Sequence, residues 1–250
     1  MGAYVGRTMQ PATERALETY WAAQLGVPAD AFEQDGVVVG ETPHDDGVQV
    51  FVREGTVAVG APSTLVAECR AHADELVSVT VDDPAALGRW VTDRIVPVET
   101  VLGPAFYGYT DAESVAPVES PARVLTATDE GAYGRFQRAV PADEWDAGGP
   151  AFEPGETVGI EADGRLVAAA GYEVWDERIA HISVVTHPDY RSRGLGRAVV
   201  SRATERALDA GLWPQYRTLN AWPWSVALAE GLGFERFATG SLVVAQPSNR

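Results

Sequence analysis

The second half of this sequence carries its clearest periodicity, because alternating apolar and polar segments there are followed by segments with helical spacing. The stretch TVGIEADGRLVAAAGYEVWDERIAHISVV predicts three consecutive strands, with turns at Asp163-Gly164 and around Asp176-Glu177. RGLGRAVVSRATERALDAG predicts a helix that ends at Gly211. Further strands are predicted at ARVLTATD, YRTLNAW and FERFATGSLVVAQ, and further helices at EGAYGRFQRAV and SVALAEGLG. This mixture without strict alternation predicts an α+β domain with a mixed sheet.

The first half predicts a smaller α/β domain. ATERALETYWAAQLG has helical spacing and ends at Gly26, and VQVFVREGTVAVGAP is a hairpin that turns at Glu54-Gly55. STLVAECRAHADELV, which begins with a Ser-Thr cap, and DPAALGRWVTDRIV predict helices, while VETVLGPAFYGY predicts a strand followed by a loop. A hairpin followed by a helix thus occurs in both halves, so an internal duplication stays open.

A linker is predicted between the halves. YTDAESVAPVESPAR, residues 109–123, has the Ser, Pro and Glu content of a connecting segment. We place the boundary near Ala116, which gives an N-terminal domain at 1–116 without an assigned role and a C-terminal domain at 117–250.

Charge distinguishes the two halves and limits the partners. The net charge is -17, all 19 basic residues are arginines, and no lysine is present. Residues 1–120 carry 6 arginines and 19 acidic residues, whereas residues 121–250 carry 13 and 17. An acidic, lysine-free composition resembles that of proteins from salt-loving microbes, although an acidic mesophilic protein remains the alternative. Such a charge argues against a nucleic-acid partner.

Cysteine count and apolar runs exclude several classes. The single cysteine, Cys69, rules out an internal disulfide and a multi-cysteine zinc site, so we expect a packed thiol and no metal. The longest apolar runs fall far short of the ~20 residues that a membrane span needs. The first residues lack the apolar stretch of a secretory signal, and we therefore expect a cytoplasmic protein without a membrane partner.

The segment HPDYRSRGLGRAVV gathers positive charge at the predicted start of a helix. The first turn of a helix leaves main-chain N–H groups unpaired, and Gly194 and Gly196 allow a ligand to approach the backbone. Arg191, Arg193 and Arg197 add formal charge, so the segment suits an anion such as a pyrophosphate. The alternative is a tight turn with solvated arginines. A third glycine is missing for a dinucleotide fingerprint, and no lysine completes a P-loop.

Two motifs carry a resemblance to a known family. VVTHPDYRSRGLGRAVVSRA resembles the acetyl-CoA-binding motif of the GNAT N-acetyltransferase superfamily, and LNAWPWSVALAEGLGF resembles its second motif. The resemblance covers roughly residues 120–246 and implies a GNAT-like mixed, mostly antiparallel sheet flanked by helices. The preceding smaller α/β domain is then either unrelated or a degenerate GNAT-like half.

The resemblance also implies residue roles. Main-chain groups of the fourth strand would pair with the pantetheine arm, the glycine loop would hold the pyrophosphate, and an Asn would mark the point where two strands separate. The implied cofactor-binding residues are Val184, Val185, Thr186, Arg191, Ser192, Arg193, Gly194, Leu195, Gly196, Arg197 and Asn220. An N–H group near Val184 or Val185 would polarise the thioester carbonyl.

The sequence departs from the family pattern at the two usual acid and base positions. Ala229 occupies the place of the general-acid Tyr, and Ala180 that of the general-base Glu. A thiol leaving group needs little protonation at neutral pH, so the acid is dispensable, and Tyr190, Tyr216 or water are its replacements.

Because an amine must lose a proton before it attacks, we take His181 and Glu173 as candidate catalytic bases. Purely structural roles for both residues stay open. The tryptophans Trp213, Trp222 and Trp224 either wall an acceptor pocket or pack in a core.

The sequence therefore predicts an enzyme that uses acetyl-CoA as co-substrate and transfers the acetyl group directly to the amine of a small molecule or peptide. The N-terminal domain would help to form the acceptor site or an interface, and a homodimer is left open. Two alternatives remain, a non-catalytic acyl-CoA-binding sensor and a partner-binding module in which the glycine turn has no function.

Overall fold

The computed structural model describes residues 8–45, 47–76 and 83–246. The N-terminal segment considered for a signal and the end of one predicted helix, at Val77, lie outside the described residues. The α-helices are α1 (Pro11–Leu25), α2 (Val66–Ala71), α3 (Ala73–Leu76), α4 (Pro84–Arg94), α5 (Glu130–Ala139), α6 (Ala142–Gly148), α7 (Leu195–Asp209) and α8 (Pro223–Gly231). The strands are β1 (Gly36–Glu41), β2 (Val48–Arg53), β3 (Thr56–Ala61), β4 (Val98–Tyr109), β5 (Arg123–Val124), β6 (Val158–Ala162), β7 (Arg165–Trp175), β8 (Ile179–Thr186), β9 (Trp213–Leu219) and β10 (Glu235–Ala245).

The chain folds into two compact units that are interleaved in sequence. The C-terminal unit consists mainly of Gly108–Arg217 and Ala227–Glu235, together with residues 8–9. The N-terminal unit consists of the remaining described residues, in the ranges Gln10–Tyr107, Thr218–Val226 and 236–246. The domain boundary predicted near Ala116, with domains at 1–116 and 117–250, stays a prediction.

The C-terminal unit contains a mixed, mostly antiparallel sheet. Its strand order is β9-β8-β7-β6-β5, and the pairs β5/β6, β6/β7 and β7/β8 are antiparallel while β8/β9 is parallel. The three-stranded meander β6-β7-β8 turns at Asp163-Gly164 and at Asp176-Glu177, both turns as predicted. Asp163, Asp176 and Glu177 have positive φ angles, which tight turns between strands commonly require. The predicted fold class is confirmed.

Helices cover both faces of this sheet. Val185 of β8 belongs to a buried cluster with Tyr133 and Phe136 of α5, whereas Thr186 lies beside Gly196 of α7. Since consecutive residues of a strand point to opposite faces, α5 and α7 lie on opposite sides of the sheet. The side of α7 that faces the sheet is apolar, with Val199, Val200, Ala203 and Ala207 all buried. We call the face toward α5 and α6 the α5–α6 face.

The N-terminal unit contains a second strand arrangement. Its order is β1-β3-β2-β10-β4, with β2/β3 and β2/β10 antiparallel and β1/β3 parallel. The predicted hairpin is confirmed, because β2 and β3 are joined at Glu54-Gly55. The predicted capped helix is also confirmed, since Gly26 adopts the left-handed conformation directly after α1. The apolar cluster of this unit joins Val50 and Val59 to Leu87 and Trp90.

Three predicted elements differ from the structure. VETVLGPAFYGY is one continuous strand, β4, rather than a strand and a loop. The predicted Ser-Thr cap is absent from α2, which begins after Leu65, and the helix breaks at His72 between α2 and α3. The predicted ARVLTATD strand is reduced to the two residues of β5. Gly103 and Pro104 interrupt the pattern of VETVLGPAFYGY, and pairing with distant strands continues β4 across them.

Three findings concern membrane spans, the cysteine and metal sites. No helix in the described part of the chain is long and apolar enough to cross a membrane. Cys69 is a buried free thiol, as predicted, and burial raises its pKa to about 11. Within the described ranges, no group of three or more His, Cys, Asp or Glu side chains could hold a metal ion.

Candidate active site

The edge of β8 that faces β9 has no partner among the described strands over most of its length, although a Cβ added at Gly148 of α6 would lie 3.4 Å from Val184 O. The parallel ladder joins Ile179, Ala180 and His181 to residues 213–215, and it ends there although β8 continues to Thr186. The two strands therefore separate after His181. A strand with an unpaired edge presents main-chain donors and acceptors to a ligand.

The hydrogen-bonding pattern decides which main-chain groups face this open edge. His187 N–H donates to Val167 O at 2.8 Å, so odd-numbered residues of β8 direct their main-chain groups toward β7. Even-numbered residues direct theirs toward β9. Of the residues predicted to pair with pantetheine, Val184 and Thr186 therefore face the open edge, whereas the main chain of Val185 faces β7.

The loop after β8 provides a run of unpaired amides. The N–H groups of residues 192–197 donate to no acceptor in the described part of the chain, whereas Ala198 N–H donates to Gly194 O at 3.0 Å. Gly194 is the N-cap of α7 and offers no side chain to that helix. Ser192 and Gly194 have φ angles of 59° and 77°. Alternating left-handed residues turn successive amides toward one side, which is a known anion-binding arrangement.

The two motif glycines have different neighbours. A Cβ added at Gly194 would meet nothing within 4 Å, so the space beside this amide is open. A Cβ added at Gly196 would lie 3.2 Å from Thr186 Oγ1 and 3.5 Å from Leu228 Cδ1. Gly196 thus allows the first turn of α7 to lie directly against the end of β8. Leu195, between them, is the first residue of α7.

The motif arginines already have protein partners. Arg191 forms an ion pair with Glu144 of α6, and its Nε donates to Thr186 O at 3.2 Å. Arg193 donates to Asp189 O at 3.0 Å and lies over the Tyr190 ring.

Arg197 donates to Gly231 O at 2.6 Å. The arginines therefore hold the loop in shape as well as giving it positive charge. The main-chain N–H groups of the loop are the donors left without a protein acceptor among the described residues.

Asn220 belongs to the N-terminal unit. Its N–H donates to Pro104 O at 2.9 Å, and its Oδ1 accepts from Arg236 Nη1 at 2.9 Å. The tryptophans next to it are exposed, Trp222 by 37% and Trp224 by 71%, so neither of them is a core residue.

His181 lies in a defined side-chain network on β8. Its ring stacks on Trp175 with 4.2 Å between ring centroids and 16° between planes. Its Nδ1 lies 2.8 Å from Oε1 of the fully buried Gln215, whose Nε2 donates to the Tyr109 hydroxyl. Because Gln215 donates through nitrogen, its oxygen must accept, and the assigned tautomer of His181 carries its proton on Nδ1. Nε2 of the neutral ring is then an acceptor.

The surroundings of His181 keep it neutral. Burial and the nearby Arg217 guanidinium lower its pKa to about 4. Glu173 stands directly opposite His181 in the β7/β8 ladder and is exposed, so the two candidate bases are neighbours on the α5–α6 face.

The family's usual acid and base positions hold alanines in this chain. Ala229 and Ala180 are fully buried. Of the two replacements, Tyr190 donates its hydroxyl to Asp163 at 2.8 Å, which raises its pKa, and Tyr216 is buried against Phe234.

Sequence reasoning missed Gln215, Tyr109 and Glu144. A polar residue in the middle of the strand WPQYRTL was the available signal for Gln215, because such a residue needs a buried partner. Glu144 gave no signal, since α6 itself was not predicted from the sequence.

Comparisons with known proteins agree with the position of this site. No curated protein matches the chain significantly. A family model described as GNAT acetyltransferase matches residues 152–239. This range includes β7, β8, α7 and the loop between β8 and α7 that carries the unpaired amides.

Several solved structures are similar to this chain. A GNAT-family acetyltransferase from Colwellia psychrerythraea is 14% identical over 95% of this chain and 75% of that one, with a TM-score of 0.49. One from Novosphingobium aromaticivorans is 24% identical over 61% and 68%, with a TM-score of 0.47. An acetyltransferase from Salmonella typhimurium with its cofactor acetyl-CoA is 16% identical over 53% and 98%, with a TM-score of 0.38.

The first of the two sequence motifs, at β8 and the start of α7, lies within the range that the family model matches. Over residues 152–239, in its C-terminal half, this chain is therefore similar to the GNAT acetyltransferases.

Proposed function

We propose that this protein is an acetyl-CoA-dependent N-acyltransferase that moves an acetyl group directly to the amine of an acceptor. The observation that carries the proposal is the continuity between the open edge of β8 and the unpaired amides at 192–197. A pyrophosphate joined to an extended, amide-containing arm matches both parts of this surface. An isolated glycine turn would account for neither the strand separation nor the run of amides.

Binding is assigned to the main chain. The amides at 192–197 would hold the pyrophosphate, supported by the positive end of the α7 dipole. Val184 and Thr186 would pair with the pantetheine amides in the manner of an added strand. Arg191 keeps its partners Glu144 and Thr186 O in this arrangement and holds the loop in place.

Carbonyl polarisation is assigned to Val184. Acetyl-CoA supplies an activated thioester. When the amine attacks its carbonyl carbon, a C–N bond forms, the C–S bond breaks and the thiolate of coenzyme A departs. The Val184 N–H faces the open edge and is the N–H group proposed to donate to the carbonyl oxygen. Such preorganised donors contribute about 2.7–4 kcal/mol in other acyl-transfer sites.

Proton removal is assigned to His181 together with Glu173. The amine loses one proton as it is acetylated, and Nε2 of the neutral His181 accepts it. A ring whose pKa is about 4 does not retain a proton at neutral pH. The exposed Glu173 opposite His181 then passes the proton to solvent.

The test combines acetyl-CoA binding with turnover on a panel of amines. Calorimetry should detect acetyl-CoA binding to the full chain, and a thiol-release assay should detect acetylation of at least one class of amine. His181→Asn should lower kcat by about 10²–10⁴-fold without changing the Kd for acetyl-CoA. Glu173→Gln should lower kcat less, because water can replace an exposed relay.

The matched control is His44→Asn, which removes an exposed histidine of the N-terminal unit and should leave kcat unchanged. Acetyl-CoA binding without turnover on any amine would contradict the enzyme and favour the acyl-CoA sensor. A lack of acetyl-CoA binding would contradict both and leave the partner-binding module.

A further inference from the structure

A cavity of about 460 Å³ lies in the C-terminal unit between α5, α6 and the loop that follows α6. Three aromatic rings line it, those of Tyr133, Trp145 and Phe152, and Glu130 and Gln137 belong to its polar lining. The ring of Tyr133 lies 5.7 Å from that of Trp145 and 4.8 Å from that of Phe152. The cavity is therefore large enough for a small organic group and offers it both ring surfaces and polar groups.

The aromatic wall is fixed by close packing. A Cβ added at Gly149 would lie 2.6 Å from the Trp145 indole, so only glycine allows this position of the ring. The Tyr133 hydroxyl donates to Pro150 O at 2.5 Å. That hydroxyl proton is thus committed to the protein, and because Tyr133 is buried, the partly exposed rings of Trp145 and Phe152 offer the surface for contact.

The charge of the cavity favours a cation. Glu130 is the one formally charged residue among the described residues that line it, and Glu130 is exposed. The faces of aromatic rings attract cations, and ammonium groups are recognised in this way. The net charge of -17 adds a long-range attraction for positive ligands. An uncharged aromatic ligand would gain nothing from Glu130.

The cavity lies beside the proposed transfer site. Gly149 belongs to its wall, and a Cβ added at the preceding Gly148 would lie 3.4 Å from Val184 O. Pro150, also in the wall, packs over Gly171, which pairs with Ser183 in the β7/β8 ladder. The cavity therefore adjoins the α5–α6 face, on which Glu173 and His181 also lie.

From these observations we infer that the cavity binds a cationic nitrogen of the acceptor, and that the acceptor is a small amine with a second, positively charged nitrogen. This inference rests on the proposed function in one respect, because it identifies the bound amine as the acceptor of the acetyl group. The recognition of the cation by Trp145, Phe152 and Glu130 can be measured without any acetyl transfer.

The binding test uses two uncomplicated probes of equal shape, choline and 3,3-dimethylbutan-1-ol, which differ in one positive charge. Ligand-observed NMR titration of the full chain should give a Kd for choline at least about fivefold lower than that for the alcohol. Neither probe carries an amine that could be acetylated, so turnover does not affect the result.

Variants locate the effect. Trp145→Leu should abolish the preference for choline, and Trp145→Phe should restore most of it because a ring face is kept. Glu130→Gln should reduce the preference about two- to threefold, since an exposed carboxylate acts through water. Asp209→Asn removes one exposed negative charge at the end of α7 and should leave the preference unchanged.

The outcomes separate this inference from the proposed function. Equal binding of the two probes, or a preference that survives Trp145→Leu in a folded variant, would overturn the cation site even if acetyl-CoA binds. A preference for choline that depends on Trp145 and Glu130 supports the site even if acetyl-CoA fails to bind. Turnover of ω-aminoalkyl trimethylammonium compounds over uncharged alkyl analogues would extend the result to the acceptor.

Discussion

The same succession of hairpin and helix occurs in both units, but only one of them forms a candidate site. In the N-terminal unit β3 follows β2 and leads to α2, while in the C-terminal unit β8 follows β7 and leads to α7. β3 pairs along its whole length with β1 on one side and is paired with β2 on the other. β8 pairs with β9 over its first three residues only. A hairpin followed by a helix is therefore insufficient, and an open strand edge is the added requirement.

The starts of the two helices that follow these strands, α2 and α7, also differ in how many main-chain amides are left unpaired. Before α2, the N–H groups of Leu65 and Val66 both donate to Pro62 O, and Glu68 lies in the first turn. Before α7, six successive amides have no acceptor in the described part of the chain, and no acidic residue lies in the first turn. The start of α7 thus offers unpaired donors that suit an anion, and the start of α2 does not. The connection also differs, since the parallel neighbour β1 precedes β3 in sequence whereas β9 follows β8.

The largest effect is expected from making the start of α7 resemble that of α2 in charge. Gly194→Asp places a carboxylate in open space beside the unpaired amides, and Asp tolerates the left-handed conformation that Gly194 adopts. We expect acetyl-CoA affinity to fall at least about 100-fold, equivalent to ~2.7 kcal/mol, as measured by calorimetry.

Gly194→Asn is the matched control, because it has the same shape and backbone preference without the charge. Gly164→Asp places the same carboxylate at another left-handed glycine with open space around it, in the turn between β6 and β7. Both should retain most of the affinity. If Gly194→Asn weakens binding as much as Gly194→Asp, the loss comes from shape, and the electrostatic part of the comparison is wrong.

The sequence predicted the parts of this comparison that depend on local pattern. Alternation identified both hairpins, and the spacing of Gly194 and Gly196 identified the helix start. The separation of β8 from β9 depends on pairing between distant segments, so the alternation of β8 gives no signal for it, and only the family resemblance implied it.

The environment of His181 could not be predicted from local sequence pattern either. Its partner Gln215 lies 34 residues further along the chain, and Tyr109 precedes the C-terminal strands altogether. The roles of Glu173 and His181 as bases stay predictions, as does the role of Asn220.

The second prediction concerns a titrating group that β8 has and β3 lacks. Burial lowers the pKa of His181 from 6.5 to about 4, whereas β3 consists of Thr, Val, Ala and Gly. Above pH 6.5 the ring is neutral in both states, and as the pH falls toward 4 the unfolded chain binds the proton first. The wild-type free energy of unfolding should therefore fall by about 2 kcal/mol more than that of His181→Asn between pH 7 and pH 4.5.

Urea denaturation at several pH values measures this difference, and the carboxylates that titrate in the same range cancel in the comparison. An identical pH dependence for His181→Asn and the wild type would show that the ring is protonated in the folded state.

The smallest expected effect comes from removing a helix N-cap in the N-terminal unit, which should change stability without changing acetyl-CoA binding. The N-terminal unit contains a helix with its own cap, since Asp83 accepts from Ala85 N–H at 2.9 Å at the start of α4, whereas Gly194 leaves α7 uncapped. Asp83→Ala should cost about 1 kcal/mol of unfolding free energy in urea denaturation, and Asp83→Ser should restore most of it because serine is also an N-cap. Acetyl-CoA affinity should be the same in both. If Asp83→Ala weakened acetyl-CoA binding, an amide that a side chain already satisfies would contribute to the site, and unpaired amides would no longer distinguish α7 from the other helices.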